Sequence, residues 1–210
     1  MSIKCPLCSN TGFTFFKDKK QHFYLCGTCD GIYRNPKQYL NKIEEKERYQ
    51  HHKNHIEDLG YIKFAEPIIS TVKKHFSSNH KGLDFGAGHT PVISEVLKND
   101  KFQMEIYDPL FFDNKEVLKK KYDFITCCEV IEHLYNPKKE FDLLHNLLKP
   151  NGKLICMTYI YDKSLDFKSW FYKNDPTHVF LYQKETFLWI KDYYHFKNVK
   201  IENRLITFNQ

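Results

Sequence analysis

Arginine is almost absent from this sequence. Only Arg34, Arg48 and Arg204 occur among 210 residues, so nearly all of the +6 formal charge is carried by lysine. Two-pronged recognition of phosphates and base edges favours the guanidinium fork, so the composition argues against a dedicated nucleic-acid face. The lysines are also interleaved with acids, as in Lys42-Ile43-Glu44-Glu45-Lys46, which reads as solvated surface. No apolar run approaches the roughly 20 residues of a membrane span. The start, Met1-Ser2-Ile3-Lys4-Cys5, has no apolar signal region, so a cytoplasmic protein is expected. No internal repeat or low-complexity tract is evident.

Aromatic residues are plentiful, with 18 Phe and 14 Tyr, and the apolar share of 41% is enough for one packed core. The length suits one medium domain plus a small module. Seven cysteines is an odd number, and four of them form two tight pairs. Cys5-Pro6-Leu7-Cys8 and Cys26-Gly27-Thr28-Cys29 make C-x2-C-x17-C-x2-C, a spacing expected of a structural zinc site. Two cysteines around a tight turn can aim both thiolates at one ion, and two such turns close a tetrahedral shell. Gly12 and Gly27 are expected to supply turn freedom. Between the pairs, Thr11 to Lys17 and Gln21 to Leu25 read as a hairpin. So small a segment buries little core, and metal ligation would stabilise it. Cys127, Cys128 and Cys156 sit in apolar runs and read as small buried hydrophobes.

The spacing of Tyr39, Ile43 and Tyr49 predicts a helix within residues 37–58, continued by another near Ile62 to His75. From residue 82 short strands alternate with helices. Strands are expected at Gly82 to Gly86, Phe102 to Tyr107, Tyr122 to Cys128 and Lys153 to Tyr159, with a turn at Lys149 to Gly152. Helices are expected at Pro91 to Lys98, Lys138 to Leu148 and Glu185 to Tyr194, and a terminal hairpin turns at Asn203. The fold class is therefore α/β: a Rossmann-like, mostly parallel sheet with an antiparallel C-terminal edge strand, preceded by a four-cysteine zinc ribbon. The expected division is 1–36 ribbon, 37–79 helical linker or lid, and 80–210 main domain.

Gly86-Ala87-Gly88 follows the first strand of that domain and opens its first helix. Glycines there let the backbone approach a ligand closely. Asp84 precedes them, and Asp108 ends the next strand, where a carboxylate can accept hydrogen bonds from ribose hydroxyls. The combination favours an adenosine ligand. Leu83-Asp84-Phe85-Gly86-Ala87-Gly88 resembles the first motif of class I S-adenosylmethionine methyltransferases. The stretch Asp123 to Leu134 resembles their fourth-strand motif, and Leu147 to Leu154 the loop before their fifth strand. The resemblance covers about residues 80 to 210. It implies Asp84, Gly86 and Gly88 around the methionine part of S-adenosylmethionine, and Asp108 on its ribose. The usual third glycine is replaced around His89-Thr90. Only 14 residues separate Asp108 from Asp123, too few for a full strand-helix-strand passage, so the family's third strand is expected to be missing or vestigial. Leu110 to Phe112 are adenine candidates by position.

Glu129, Glu132 and His133 lie at i, i+3 and i+4, and would share one face of a helical turn. Two carboxylates and an imidazole can bind a divalent ion; the plainer reading is a solvated helix start. His178, in Asp175-Pro176-Thr177-His178, adds a second candidate. The pair of segments resembles small-RNA 2′-O-methyltransferases and the O-methyltransferases of ubiquinone biosynthesis. That resemblance implies Glu129, Glu132, His133 and His178 as ligands, with Mg²⁺ or Mn²⁺ suited to oxygen and imidazole donors. Glu129 has an alternative role against the cofactor, and His133 or His178 could serve as general base. His51, His52 and His55 read as surface. Trp170, Phe171, Tyr172, Phe180 and Tyr182 read as either pocket floor or core. The expected reaction is methylation of an oxygen on a small molecule with neighbouring hydroxyls. The alternatives are RNA methylation, sugar C-methylation, and a non-catalytic interaction module.

Overall fold

The structure, a computed structural model, describes residues 3–50 and 59–210. Its first part is an antiparallel sheet of β1 (Ile3–Lys4), β2 (Thr11–Lys17), β3 (His22–Cys26) and β4 (Ile32–Arg34). Each cysteine pair sits in a matching turn. Ser9 N–H donates to Cys5 O (2.9 Å), and Asp30 N–H donates to Cys26 O (3.1 Å). The left-handed residues that close these turns are Ser9 (φ 63°) and Asp30 (φ 54°), not the expected glycines. Gly12 serves packing instead: a Cβ there would lie 1.9 Å from the Tyr33 hydroxyl oxygen.

A single 3-10 turn, Pro36–Gln38, and the helix α1 (Lys42–Gln50) occupy the described part of the expected linker. Helix α2 (Leu59–His75) buries Ala65, Ile68, Ile69 and Val72, the i, i+3, i+4, i+7 stripe of a core-facing helix. It packs on Ile93, Leu97, Phe124 and Ile155.

Apart from the short strand Phe180–Leu181, which was not expected, the remaining elements follow in the expected order. They are β5 (Lys81–Phe85), α3 (Val92–Asn99), β6 (Gln103–Tyr107), β7 (Tyr122–Cys128), α4 (Pro137–Leu147), β8 (Leu148–Met157), β9 (Phe180–Leu181), α5 (Lys184–Tyr193), β10 (Asn198–Glu202) and β11 (Leu205–Asn209). Asn136 caps α4 by accepting from Lys139 N–H (3.1 Å), with Pro137 in the first turn. Lys149 to Gly152 is not a free turn. It is an irregularity inside β8, where pairing with β7 skips from Tyr122–Leu148 to Phe124–Lys153.

The main sheet has the order β10-β11-β8-β7-β5-β6. The four strands β6, β5, β7 and β8 are parallel. The antiparallel strand β11 is not at the edge as expected; it pairs with β8 on one side and β10 on the other, leaving β10 outermost. The segment that joins β6 to β7 forms no third family strand. Asp108 and Phe112 form one bridge, a 3-10 turn spans Lys115–Lys119, and a cavity of about 450 Å³ lies along β6, bordered by Ile106, Phe112 and Val117. The chain moves from β5 outward to β6 and then returns to β7 on the other side of β5. That reversal is the switch point at which open α/β sheets leave a crevice outside the carboxyl ends of the strands.

The first sheet is completed from the second half of the chain. β9 pairs with β4 through Ile32–Leu181 and Tyr33–Phe180. The core runs through as well: Leu7, Tyr24 and Tyr33 belong to one buried cluster with Leu83, Phe141, Phe180 and Tyr182. The expected core aromatics Trp170, Tyr172, Phe180 and Tyr182 are buried, whereas Phe171 is 60% exposed.

Close packing at the centre of the sheet makes a direct check. A Cβ on Gly82 of β5 would lie 2.2 Å from a Phe124 ring carbon and 2.7 Å from the Met104 sulfur. Gly82→Ala is expected to cost about 1–3 kcal/mol by overpacking. Urea unfolding measures this, and an unchanged midpoint would contradict the packing described.

Candidate functional site

Two groups of residues meet at the carboxyl ends of the parallel strands. The first is the glycine turn after β5. Gly86 (φ 76°) and Gly88 (φ 64°) both lie in the left-handed region that favours glycine. Their surroundings differ. A Cβ on Gly86 would lie 2.5 Å from Val130, so this glycine lets the turn pack on the loop after β7. A Cβ on Gly88 would have no atom within 4 Å, so Gly88 faces open space.

Asp84 lies beneath this turn, 3% exposed, and accepts from Thr126 Oγ1 (2.9 Å) and Ser94 Oγ (3.2 Å). Burial pushes its carboxyl up to about 6, and those two hydrogen bonds only partly oppose the effect. Asp108 ends β6 as expected, but its oxygens are already engaged. Oδ2 accepts from Gly88 N–H (3.0 Å), and Oδ1 accepts from Leu110 N–H (2.8 Å) and Phe111 N–H (3.1 Å). A carboxylate has about four acceptor sites, so roughly one is left for a ribose hydroxyl. Without a third strand, the short Asp108–Phe112 turn is held by this side chain.

The second group surrounds the end of β7. Glu129, Glu132 and His133 do not share a helical turn. Glu129 takes the left-handed conformation (φ 51°), which is strained for a residue with a Cβ, and only Ile131–His133 form a 3-10 turn. Glu129 consequently points to Arg204, whose Nη2 lies 2.6 Å from Glu129 Oε1. That guanidinium is stacked between the rings of Tyr159 (3.6 Å) and Phe64 (4.8 Å).

Glu132 is fully buried and joins His133 and His178. One ligand atom from each of these three lies within 4.8 Å of the others, close enough for small side-chain rotations to bring them onto one ion. His133 Nδ1 is 3.1 Å from Thr177 O, and His178 Nδ1 is 2.7 Å from Tyr172 O. A carbonyl can only accept, so both Nδ1 atoms carry a proton, and a neutral ring held this way has its lone pair on Nε2. A backbone carbonyl on the second ring nitrogen commonly orients a metal-binding imidazole in this way.

Tyr172 binds the cluster together from below. Its hydroxyl donates to Glu132 Oε1 in a short hydrogen bond, lies 3.3 Å from Glu129 Oε2, and lies 3.0 Å from Thr158 Oγ1. Burial and the two carboxylates raise its pKa, so the hydroxyl keeps its proton. Burial pushes Glu132 up to about 7. Burial, then the like charge of Glu132, pushes Glu129 up to about 8 against the pull of Arg204. Burial, then the neighbouring His133, lowers His178 to about 4, which leaves it neutral in ordinary buffers.

The sequence patterns did not single out Tyr172 as a hydroxyl donor, nor Thr158, Arg204 or Arg34. Each reaches the site from a distant part of the chain. The one available signal was the rarity of arginine. All three arginines contact this region: Arg204 at Glu129, Arg48 by two hydrogen bonds to Asp175 (3.1 and 2.8 Å), and Arg34 at the backbone carbonyls of Lys173, Asp175 and His178. The positions His51, His52 and His55 lie outside the described residues.

The four ribbon cysteines form their own cluster. The sulfurs of Cys5 and Cys29 are 3.6 Å apart, those of Cys8 and Cys26 are 3.3 Å apart, and all four lie within 4.8 Å of one another. A tetrahedron with metal–sulfur bonds of about 2.3 Å has edges of about 3.8 Å, so the donor set fits one ion.

With this geometry in hand, similarity to known proteins becomes informative. A family model described as "Methyltransferase domain" matches residues 49–201, most of the chain. The chain belongs to the class I methyltransferase family. The matched stretch begins after the cysteine module. Among curated proteins, the ubiquinone biosynthesis O-methyltransferase of Coxiella burnetii is 28% identical over 98 residues, covering 45% of this chain and 40% of that protein. The chain thus aligns with well under two thirds of the curated relatives it matches. Among solved structures, the fold is similar to that of the Burkholderia thailandensis 1,6-didemethyltoxoflavin-N1-methyltransferase bound to S-adenosylhomocysteine. The TM-score is 0.55 at 11% identity, over 94% of this chain and 98% of that one. An O-methyltransferase family protein from the same organism gives 0.55 at 11% identity, over 79% and 61%.

Asp84 provides a pH test of the first group. Its folded pKa, about 6, lies above its ordinary 3.8, so the native state holds this proton more tightly than the unfolded chain. The associated stability is complete below pH 3.8 and is lost as pH rises through 6. Asp84→Asn should therefore gain on the wild type by about 1–3 kcal/mol between pH 4 and 7. Urea unfolding at both pH values measures it; a pH-independent difference would contradict the burial assigned to Asp84.

Proposed function

We propose that this protein is an S-adenosylmethionine-dependent methyltransferase that methylates an oxygen of a small molecule with neighbouring hydroxyls. The observation that carries this reading is the trio Glu132, His133 and His178, with both imidazoles donating from Nδ1 to backbone carbonyls. In this reading Gly86 and Gly88 form the cradle for the methionine part of the cofactor, and Asp108 keeps one acceptor site for its ribose. The open space over Gly88 and the family membership support that placement. When bound, S-adenosylmethionine supplies an electrophilic sulfonium methyl group.

Glu132, His133 and His178 would hold a divalent ion, with Mg²⁺ or Mn²⁺ suited to the mixed oxygen and nitrogen donors. When bound, such an ion supplies Lewis-acid polarisation of the acceptor hydroxyls. Glu129 stands apart on Arg204 and completes the electrostatic surroundings rather than the trio. The chain's own residues manage the proton. Glu129 and Glu132 are held near neutrality by burial, which suits a carboxylate that must accept a hydroxyl proton at ordinary pH. His178, neutral and with its Nδ1 tied, offers Nε2 either as ligand or as base. Tyr172 and Arg204 limit the repulsion between the two acids. Tyr159 and the exposed Phe171, whose ring centres are 5.2 Å apart, offer apolar faces to a planar acceptor near the site. The four ribbon cysteines would hold a structural Zn²⁺, since four thiolates leave no open coordination position.

Calorimetry with S-adenosylhomocysteine tests the cofactor assignment, and turnover with catechol as acceptor tests the rest. Gly88→Val should weaken product binding about tenfold or more, or 1.4 kcal/mol. His178→Ala should leave binding intact and lower turnover by about 10²-fold or more. Failure of the wild type to bind S-adenosylhomocysteine would end the enzymatic reading, and full activity in the His178 variant would remove that residue from it.

A further inference from the structure

We propose that Arg34 is a positioning residue, reaching out of the cysteine module to fix the loop that sets the orientation of His178. Arg34 ends β4 and is 4% exposed. Its Nε donates to His178 O (3.2 Å), and its Nη2 donates to Lys173 O (2.8 Å) and Asp175 O (2.9 Å). All three acceptors are backbone carbonyls of one short loop. That loop carries Tyr172, whose hydroxyl meets Glu132, and whose carbonyl accepts the His178 Nδ1 proton (2.7 Å). Arg34 therefore holds the Lys173–Asn174 peptide, one removed from the Tyr172 carbonyl, and the peptide immediately after His178.

Two neighbouring contacts act on the same segment. Arg34 N–H donates to Val179 O (2.9 Å), and Gln21 Nε2 donates to Lys173 O (3.2 Å). Gln21 also belongs to the cysteine module, so the loop is tied to that module at both ends. The Arg34 guanidinium lies over the Phe23 ring at 4.7 Å, which sets its plane. Among the described residues no carboxylate hydrogen-bonds to it; three backbone carbonyls meet its charge, with Asp175 acting on it at longer range. A buried guanidinium is a poor device for stability alone, because a packed apolar side chain of similar volume often does as well or better. Its planar fork is instead suited to holding several acceptors at fixed relative angles, which lysine cannot do. The cysteine module is on this account part of the architecture of the acid–imidazole site.

The inference rests on the proposed function only for the use to which His178 is put, and its test does not require turnover. The full chain, labelled with ¹⁵N-histidine and freed of divalent ions at the acid–imidazole site, reports which ring nitrogen of His178 carries the proton. The His178 signals are assigned by their loss in His178→Ala. In the wild type, the two ring nitrogens should show the wide shift separation of a single Nδ1–H tautomer. In Arg34→Ala and in Arg34→Lys, which keeps the charge but loses the fork, the separation should shrink toward the average of two tautomers. S-adenosylhomocysteine affinity should be unchanged in both. A single Nδ1–H tautomer persisting in Arg34→Ala would overturn the inference, as would a wild type lacking that tautomer. If both variants lose the native signals of His22, the histidine of the cysteine module, Arg34 is a fold residue and the positioning role falls. If the tautomer shifts as stated but His178→Ala proves fully active, the positioning stands and the functional reading of His178 fails.

Discussion

A carboxylate that water cannot reach must have its charge answered by protein atoms, and Glu132 imposes that requirement on the centre of this structure. The Tyr172 hydroxyl answers it most directly, by donating to Glu132 where no solvent competes. Much else follows from keeping that hydroxyl in place. The loop with Tyr172 must pass under the end of β7, which brings His178 opposite His133, with ring centres 4.8 Å apart. Each imidazole then donates from Nδ1 to a backbone carbonyl, and His178, held neutral, keeps its lone pair on Nε2. Glu129, one residue past the strand, shares the Tyr172 hydroxyl with Glu132, and the like charge of the two is offset by Arg204. Its left-handed conformation turns it to Arg204.

The α/β class, the element order and the glycine turn were legible because they rest on local patterns. Apolar runs of strand length, a proline or asparagine at a helix start, and glycines after β5 each act within a few residues. The missing third strand was legible for a similar reason, since 14 residues cannot make a strand, a helix and the turns between them. The boundaries shifted where tertiary pairing overrode local chemistry. Lys149-Pro150-Asn151-Gly152 has the composition of a turn, yet β7 draws it into β8 as an irregularity. The glycines of the cysteine turns were a misleading signal, because Ser9 and Asp30 take the left-handed positions and Gly12 makes room for Tyr33.

The candidate site was legible as a set of residue types but not as an arrangement. Helical spacing grouped Glu129 with Glu132 and His133, whereas the chain leaves β7 through a strained residue and a single 3-10 turn. Nothing local relates Tyr172 to Glu132, Arg204 to Glu129, or Arg34 to the 172–178 loop. These contacts span 40, 75 and about 140 positions, and exist only because β9 closes the first sheet and the β10–β11 hairpin closes the second. In retrospect the scarcity of arginine was more telling than its bearing on nucleic acid suggested. A chain with three arginines and 29 lysines uses the guanidinium only where a fixed fork or a stacked cation is needed.

The proposed metal chemistry requires the Glu132, His133 and His178 side chains to act together on one ion. Titration of chelator-treated protein with Mn²⁺, followed by the loss of the free-ion electron paramagnetic resonance signal, addresses that requirement directly. One saturable site is expected in the wild type, abolished in Glu132→Gln, with the reactivity of the four clustered cysteines unchanged in both. Absence of saturable binding in the wild type, or equal binding in the Glu132→Gln protein, would show that these three side chains do not form a metal site.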